Sequence, residues 1–449
     1  MDFIRNKSHS LSVLKIKSIA EGKEESEFDL RYIFDELNVF HDIDNIVTSG
    51  YVTIKEQGNL IVSCPIQGKE IIEIKFKSDF ESEEGEDPWV KREYHRVFFV
   101  YAVDGLQESG DKRSYTIRFT DALGMINSDM RLSIKYDDKA ENIIEKIGNE
   151  IINKKELYNK WIKNTYNGTR DVLMLQKDVE SEHNIIFTVP NWKPLKLINY
   201  ITKKAVSIDQ PNTEKFADCL FFQSVTGFYK FTSYKHMMTE TNKDKKRKFV
   251  RYPANITQAI TDKYVVENFS FTDLFNSQIQ KGGMFGHTTF TVDLGNKEYI
   301  SSPVPYEDVF EAIKSYYGSN QILKEYASVE MSPDSSHGIH VFNINTDNAN
   351  DSNRLDFVYP AVVKGIPMEA HMRSLKIFVE MNGASDLDIG TAVDLDFKPH
   401  PNAEKHGGDI SQFINGTWVI GKIRHTITPT AFKTFVECFT PCINKQGNS

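Results

Sequence analysis

Between Leu375 and Thr440 the chain keeps returning to a two-residue period, and this limits its fold more than any other feature. In Leu375-Lys376-Ile377-Phe378-Val379-Glu380, alternate side chains suit one packed and one wet face. Val393, Leu395 and Phe397 repeat the pattern, and Thr417-Trp418-Val419-Ile420 and the run from Phe432 to Phe439 add two more strand-like stretches. The breaks are rich in Asn, Asp and Gly, as at Met381-Asn382-Gly383 and Asp388-Ile389-Gly390. Short strands with such breaks specify an antiparallel barrel or curled sheet rather than helix crossovers. A barrel closes its strand edges or lends them to identical neighbours in a ring.

The same period appears upstream. Leu14 and Ile16 alternate with Lys15 and Lys17, while Ile72, Ile74 and Phe76 alternate with Glu73, Lys75 and Lys77. Arg96 to Val103 is more continuously apolar and reads as a central strand, and Tyr115, Ile117 and Phe119 restore the alternation. Glu81, Glu83, Glu84, Glu86 and Asp87 repel one another and predict an exposed loop over Ser78 to Asp87. Beyond residue 125 the period changes. Ala140, Ile143, Ile144, Ile147 and Ile151 fall on one helical stripe, with Asp137 and Asp138 near its positive end. Pro194 suits the first turn of another helix, whose apolar face is Leu195, Ile198, Ile201 and Ala205. Strand character returns from Ala217 to Phe231. The basic run Asn242 to Lys248 has no interleaved aromatics and reads as a solvated loop. A helix is expected from Pro305 through Tyr317, and a strand at Ile339-His340-Val341-Phe342 inside a Ser-, Asp- and Asn-rich stretch.

At 449 residues the chain is long enough for several units of ~100 to 150 residues. Its 63 acidic and 54 basic residues give a net charge of -9, which argues against broad neutralisation of a nucleic acid. Such a surplus reads first as ordinary solubility charge; it would also suit a channel wall past which DNA slides, because an anionic wall makes no phosphate traps. Cys64, Cys219, Cys438 and Cys442 form no CxxC pair and no zinc-site spacing, so free thiols are expected. Met1 to Ser10 carries Arg5 and Lys7 without an apolar signal core, and no apolar run approaches ~20 residues. No integral membrane insertion is expected.

Catalytic signatures are absent or incomplete. Lys281-Gly282-Gly283-Met284-Phe285-Gly286-His287 has the wrong glycine spacing for a phosphate loop and no lysine after it. His406 and Asp409, with His425 as a third group, lack a nucleophile in an elbow context. Glu24, Glu27 and Glu56 invite a glycosidase reading, but abundance supplies neither a cleft nor unequal proton affinities. We assign no catalytic residue, cofactor or metal ligand.

The order of elements resembles the closing barrel of central baseplate hub proteins from contractile-tailed bacteriophages. The residues carrying this are the strand ending near Val379, the turn at Asn382-Gly383, the step at Asp388-Ile389-Gly390, and Asn415-Gly416-Thr417-Trp418-Val419-Ile420-Gly421-Lys422-Ile423-Arg424-His425. Val189-Pro190-Asn191-Trp192-Lys193-Pro194 resembles the linker and helix of the same family's second domain. The resemblance implies an α+β, mainly β fold with two tube-like antiparallel barrels and two further α+β domains. It places the first barrel at 1–125, a small α+β domain at 126–215, a discontinuous second barrel at 216–245 and 365–449, and an inserted α+β domain at 246–364.

By the same resemblance, three copies would form a pseudo-hexameric ring joining the tail tube to a trimeric central spike. Its implied partners are tube or tube-initiator proteins, the spike, baseplate wedge proteins, and phage DNA passing without sequence-specific contact. The implied location is the virion tail baseplate, after assembly in the bacterial host cytoplasm. The alternatives are a peptidoglycan-hydrolysing tail enzyme and a carbohydrate-binding virion module.

Overall fold

The computed structural model describes residues 10–18, 27–58, 60, 66, 68, 70–78, 93–210, 215–239, 247–253, 264–273, 286–293, 298–305, 341–343, 364–365, 368–399 and 411–441. The first lobe contains β1 (Ser10–Lys17), β2 (Glu27–Asp29), β3 (Phe34–Asp42), β4 (Asn45–Glu56), β5 (Ile71–Lys77), β6 (Tyr94–Ser109) and β7 (Lys112–Thr120). Their order across the sheet is β3-β4-β7-β6-β5-β1-β2. The last strand, β2, runs through a 3-10 turn at Leu30–Tyr32 straight into β3, so the chain itself closes the curl. Asp29 caps that turn by accepting from the Arg31 N–H at 3.0 Å, and Arg31 Nη1 donates to the Ser12 carbonyl of β1 at 2.8 Å. A side chain at Gly50 of β4 would have its Cβ 2.3 Å from the Asn38 carbonyl and 2.5 Å from the Phe119 ring. Glycine is what lets these strands and that ring meet.

An α+β lobe follows: α1 (Ala122–Asp129), β8 (Lys135–Lys139), α2 (Ala140–Ile147), α3 (Glu156–Thr165), β9 (Leu175–Lys177), β10 (Asn184–Thr188), α4 (Pro194–Thr202), β11 (Cys219–Gln223), β12 (Tyr229–Ser233) and α5 (Tyr234–Thr239). Of the expected stripe, Ala140, Ile143, Ile144 and Ile147 are fully buried while Ile151, past the end of α2, is half-buried; α4 begins at Pro194 and buries Leu197, Ile198 and Ile201, with the expected Leu195 only half-buried. Asp138 accepts from Asn142 and Lys146 over the first turns of α2, and the Lys146 bond is the main cause that holds its carboxyl down at about 2.

The second lobe is a closed barrel. Its strands are β13 (Arg247–Arg251), β14 (Tyr264–Asp273), β18 (Leu375–Asn382), β19 (Ala392–Phe397), β20 (Gly416–Ile427) and β21 (Phe432–Thr440). They run β19-β13-β14-β18-β21-β20, and β20 pairs back onto β19. The ladders are antiparallel except where β13 lies parallel to β14 and to β19. The short helix α6 (Ser411–Ile414) precedes β20, and the Trp418 indole N–H donates to the Ile414 carbonyl at 2.8 Å. β15 (Gly286–Asp293), β16 (Glu298–Pro305) and β17 (Val341–Asn343) make a separate three-stranded sheet in the order β16-β15-β17.

One expected pairing is corrected by the ladders. The strands around 217 to 235 do not enter the second barrel: β11 and β12 pair with each other and with β9. Their places are taken by β13 and β14, which fall within the span expected for the inserted unit. The physical reason is that β11 is apolar on both faces. Phe222 enters the core shared by the two barrel lobes, while its neighbour Phe221 enters the core of the α+β lobe. The sheet therefore lies between two cores, and its composition mimics a barrel strand. The expected helix after Pro305, the acidic loop beyond Ser78, and Asn242 to Lys246 lie outside the described residues; Arg247 and Lys248, expected in a solvated loop, open β13 instead.

A buried polar cluster locks the three lobes together. Arg96 on β6 pairs with Asp121 at 2.9 Å, and both are at least 95% buried. Asp121 also accepts from Tyr229 Oη at 2.9 Å, Gln223 Nε2 at 2.9 Å and the Leu123 N–H of α1 at 3.1 Å. From the second lobe, Asp388 accepts from the Val225 N–H at 2.8 Å and Lys230 Nζ at 2.9 Å.

Asp218, at the start of β11, accepts from the Ser207 N–H and hydroxyl, each at 3.1 Å, and burial pushes its carboxyl up to about 6. The folded state therefore keeps this proton up to about pH 6, whereas the unfolded chain releases it near pH 4. Stability from this group is greatest below pH 4 and falls as pH rises to 6, by up to about 3 kcal/mol. Asp218→Asn keeps an acceptor oxygen without ionising, so it should gain on the wild type across that window. Urea titrations from pH 4 to 7 measure this; a constant difference between the two proteins would refute a desolvated carboxyl.

Candidate functional site

Eight strands from the two barrel lobes form one continuous wall, in the order β14-β18-β21-β20-β3-β4-β7-β6. Every neighbouring pair in it is antiparallel. The seam between lobes is the β20–β3 ladder, where Ile423 faces His41 and Arg424 faces Phe40. Alternation decides which side chains go where. Ile377, Val379, Val436, Ile423, Ile427, Leu37, Val39, Val52, Ile54, Ile117 and Phe119 enter the shared core. The intervening residues form the opposite face.

That face is charged but balanced. Lys422 lies 3.6 Å from both Asp42 and Glu437, Arg424 lies 3.5 Å from Glu36, and Lys433 lies 3.6 Å from Glu380. Lys433 also pairs with Glu267, and Arg118 with Asp104. Half-exposed pairs of this kind contribute only about 0–1 kcal/mol each to stability. Their larger effect is on the field, because each of these cations has a carboxylate beside it and is not free to hold a phosphate. Arg424 Nε and the Thr426 hydroxyl both donate to Asn38 Oδ1, at 2.8 and 2.7 Å, which stitches the seam.

An aromatic band crosses the same face. Phe378 and Phe435 stack with centroids 5.8 Å apart. The Arg424 guanidinium lies 5.4 Å from the Phe435 ring centre and 5.6 Å from that of Phe40, which in turn lies 5.9 Å from Tyr51.

The wall ends in two strand edges. Beyond Val100, β6 pairs with β7 on one side and with no strand on the other among the described residues. Beyond Val265, β14 likewise pairs only with β18 among the described residues. The β6 edge carries exposed Tyr101, Val103 and Leu106. Apolar, unprotected edge strands are pairing templates, and monomeric proteins usually blunt them.

The residues that invited a catalytic reading are not assembled into a site. His425 is fully buried inside the barrel, its Nδ1 3.2 Å from the Thr434 hydroxyl, and burial holds its basicity far down. Glu56 is buried and accepts from Tyr115 Oη and the Leu60 N–H, each at 3.1 Å. Glu27 lies at the β2 edge, where Lys15 above all lowers its carboxyl. Glu24, His406, Asp409 and Lys281 to Phe285 fall outside the described residues, as do Cys64 and Cys442; Cys219 and Cys438 are buried free thiols. No group of three or more metal-ligating side chains occurs among the described residues.

A cleft of about 790 Å³ lies where the three lobes meet, lined among others by His95, Arg170, Phe228, Lys230 and Asp388. Its charged groups are already matched: Lys230 to Asp388 at 2.9 Å, and His95 Nε2 to Glu73 at 3.0 Å. Arg170 donates to the Thr226 carbonyl at 2.7 Å between the rings of Tyr166 and Phe228. Sequence reasoning did not find the wall's charge pairs, since their partners are up to several hundred residues apart.

No protein-family model and no curated protein matches the sequence. Solved structures do. The tail protein from Neisseria meningitidis MC58 aligns with a TM-score of 0.52 at 8% identity, over 95% of this chain and 96% of that chain. The 43 kDa tail protein of prophage MuSo2 from Shewanella oneidensis aligns at 0.48 and 9% identity, over 95% of this chain and 98% of that one. Prophage tail protein gp18 from Listeria monocytogenes EGD-e aligns at 0.41 and 11%, over 97% and 96%. At such identity the first likeness establishes the fold alone: this chain has a mainly β fold like that of this tail protein.

Proposed function

We propose that this chain, built on a tail-protein fold, is the central hub of a contractile phage tail. Three copies close into a pseudo-hexameric ring that joins the tail tube to a trimeric spike and surrounds the DNA passage. The observation that carries this reading is the pair of strand edges, unpaired among the described residues, on one alternating wall. Because its eight strands alternate in direction, β6 of one copy and β14 of the next would meet antiparallel. That contact is head to tail, so it repeats and closes as a ring when the rotation allows. Two lobes per chain then present six similar modules to the tube. The balanced polar face would line the bore, where DNA passes without phosphate traps. Tube-initiator and wedge proteins would hold the outer surfaces, in the virion baseplate.

Changing Val103 and Leu106 together to lysine tests the edge. Both side chains are exposed, so folding stability should stay within about 0.5 kcal/mol of wild type. Assembly should fail. Mass photometry and electron micrographs, with tube and spike proteins present, should show threefold rings with a central opening for the wild type and single chains for the variant. Wild-type protein that stays monomeric under those conditions would defeat the hub reading.

A further inference from the structure

Beneath the wall, at the seam between the two barrel lobes, three buried polar rings surround one point. His41 of β3, Tyr94 of β6 and His425 of β20 are each at least 97% buried. Their ring centres form a nearly equilateral triangle, 5.8 Å between His41 and Tyr94 and 6.0 Å on the other two sides. Each ring carries one polar atom that is fully enclosed and has no protein partner: His41 Nε2, His425 Nε2 and Tyr94 Oη. Phe76 and Phe432 complete the enclosure, with Phe76 stacked 4.4 Å from Tyr94 and Phe432 5.7 Å from His425. Three orphaned polar groups in one apolar box are costly unless something bridges them.

We infer that the triangle is a binding site for a single water molecule, held by His41 Nε2, His425 Nε2 and Tyr94 Oη, that ties one barrel lobe to the other. A bridging water needs two to four polar partners, and these three come from strands of both lobes.

The alternative of a metal ion is opposed by charge. Thr434 Oγ1 accepts from the Ala384 N–H at 2.9 Å and also meets His425 Nδ1 at 3.2 Å, as donor or acceptor according to the tautomer of the ring. His41 is fixed through Nδ1 by the Thr48 hydroxyl at 3.2 Å. The Arg96 guanidinium acts electrostatically on both His41 and Tyr94, and a second positive charge there is disfavoured. Water accepts from one group while donating to others, so it satisfies all three. Tyr94 also lines the cleft at the lobe junction.

A high-resolution crystal structure of the wild-type protein tests the site directly. A solvent peak within about 2.6–3.2 Å of all three atoms is expected. An empty triangle, direct contacts among the three atoms, or a peak with anomalous signal would each overturn the assignment. Tyr94→Phe removes one partner and should lower the folding equilibrium constant about tenfold with the peak weakened or lost. Unchanged or greater stability in that variant would also overturn it. Neither measurement depends on ring assembly, so failure here leaves the hub reading to its own test.

Discussion

Asp121→Asn will lower the unfolding free energy by about 3–5 kcal/mol, among the largest single-site effects expected in this protein. The substitution removes the charge and turns the oxygen that Arg96 and Gln223 share into a donor. Asparagine still caps α1 well and still offers an oxygen to Tyr229. What it cannot do is neutralise Arg96, whose guanidinium is 3% exposed and faces the carbonyls of Ser224 and Val225 at 3.4 and 3.3 Å besides Asp121. A buried cation stripped of its carboxylate carries its full desolvation penalty. Guanidinium titrations followed by fluorescence and circular dichroism would measure the loss. Arg96→Met combined with Asp121→Asn should recover part of it, because no charge then remains buried. If Asp121→Asn alone unfolds within 1 kcal/mol of the wild type, Arg96 is not held as described.

Trp418→Ala should cost a similar amount, about 3–5 kcal/mol, but by a different route. The indole is 2% exposed, lies on β20 opposite Val393, and donates to the Ile414 carbonyl. Alanine leaves a cavity where β19 closes onto β20, which is the ladder that makes the second lobe a barrel. Trp418→Phe separates the two contributions, since it retains most of the volume and loses only the hydrogen bond, for about 1 kcal/mol. Wild-type unfolding of the alanine variant would show that the barrel closes without this side chain. A loss confined to ring assembly would place Trp418 at an interface instead.

Much of the fold was legible in residues that pack locally. Leu375–Asn382, Gly416–Ile427 and Phe432–Thr440 are strands because alternation sorts their side chains between core and wall. The α2 stripe and the Pro194 start of α4 were equally plain, for the helical period is just as local. Barrel membership was not legible. Cys219–Ser233 read as barrel strands and Arg247–Lys248 as part of a loop, and only the ladders show that β13 and β14 close the barrel instead. The candidate wall was half legible: its polar residues could be named, but not their pairing. Arg424 and Asn38 meet although 386 positions separate them.

The sequence by itself determined the periods, the turns and therefore the fold class, because a side chain's facing follows from its nearest neighbours along the chain. Only the tertiary structure decided which strands share a sheet, which acid sits beside which base, and that His41, Tyr94 and His425 converge. Those outcomes depend on the registers of distant strands. Registers are set by the competition of whole faces for burial, which no local stretch of residues records.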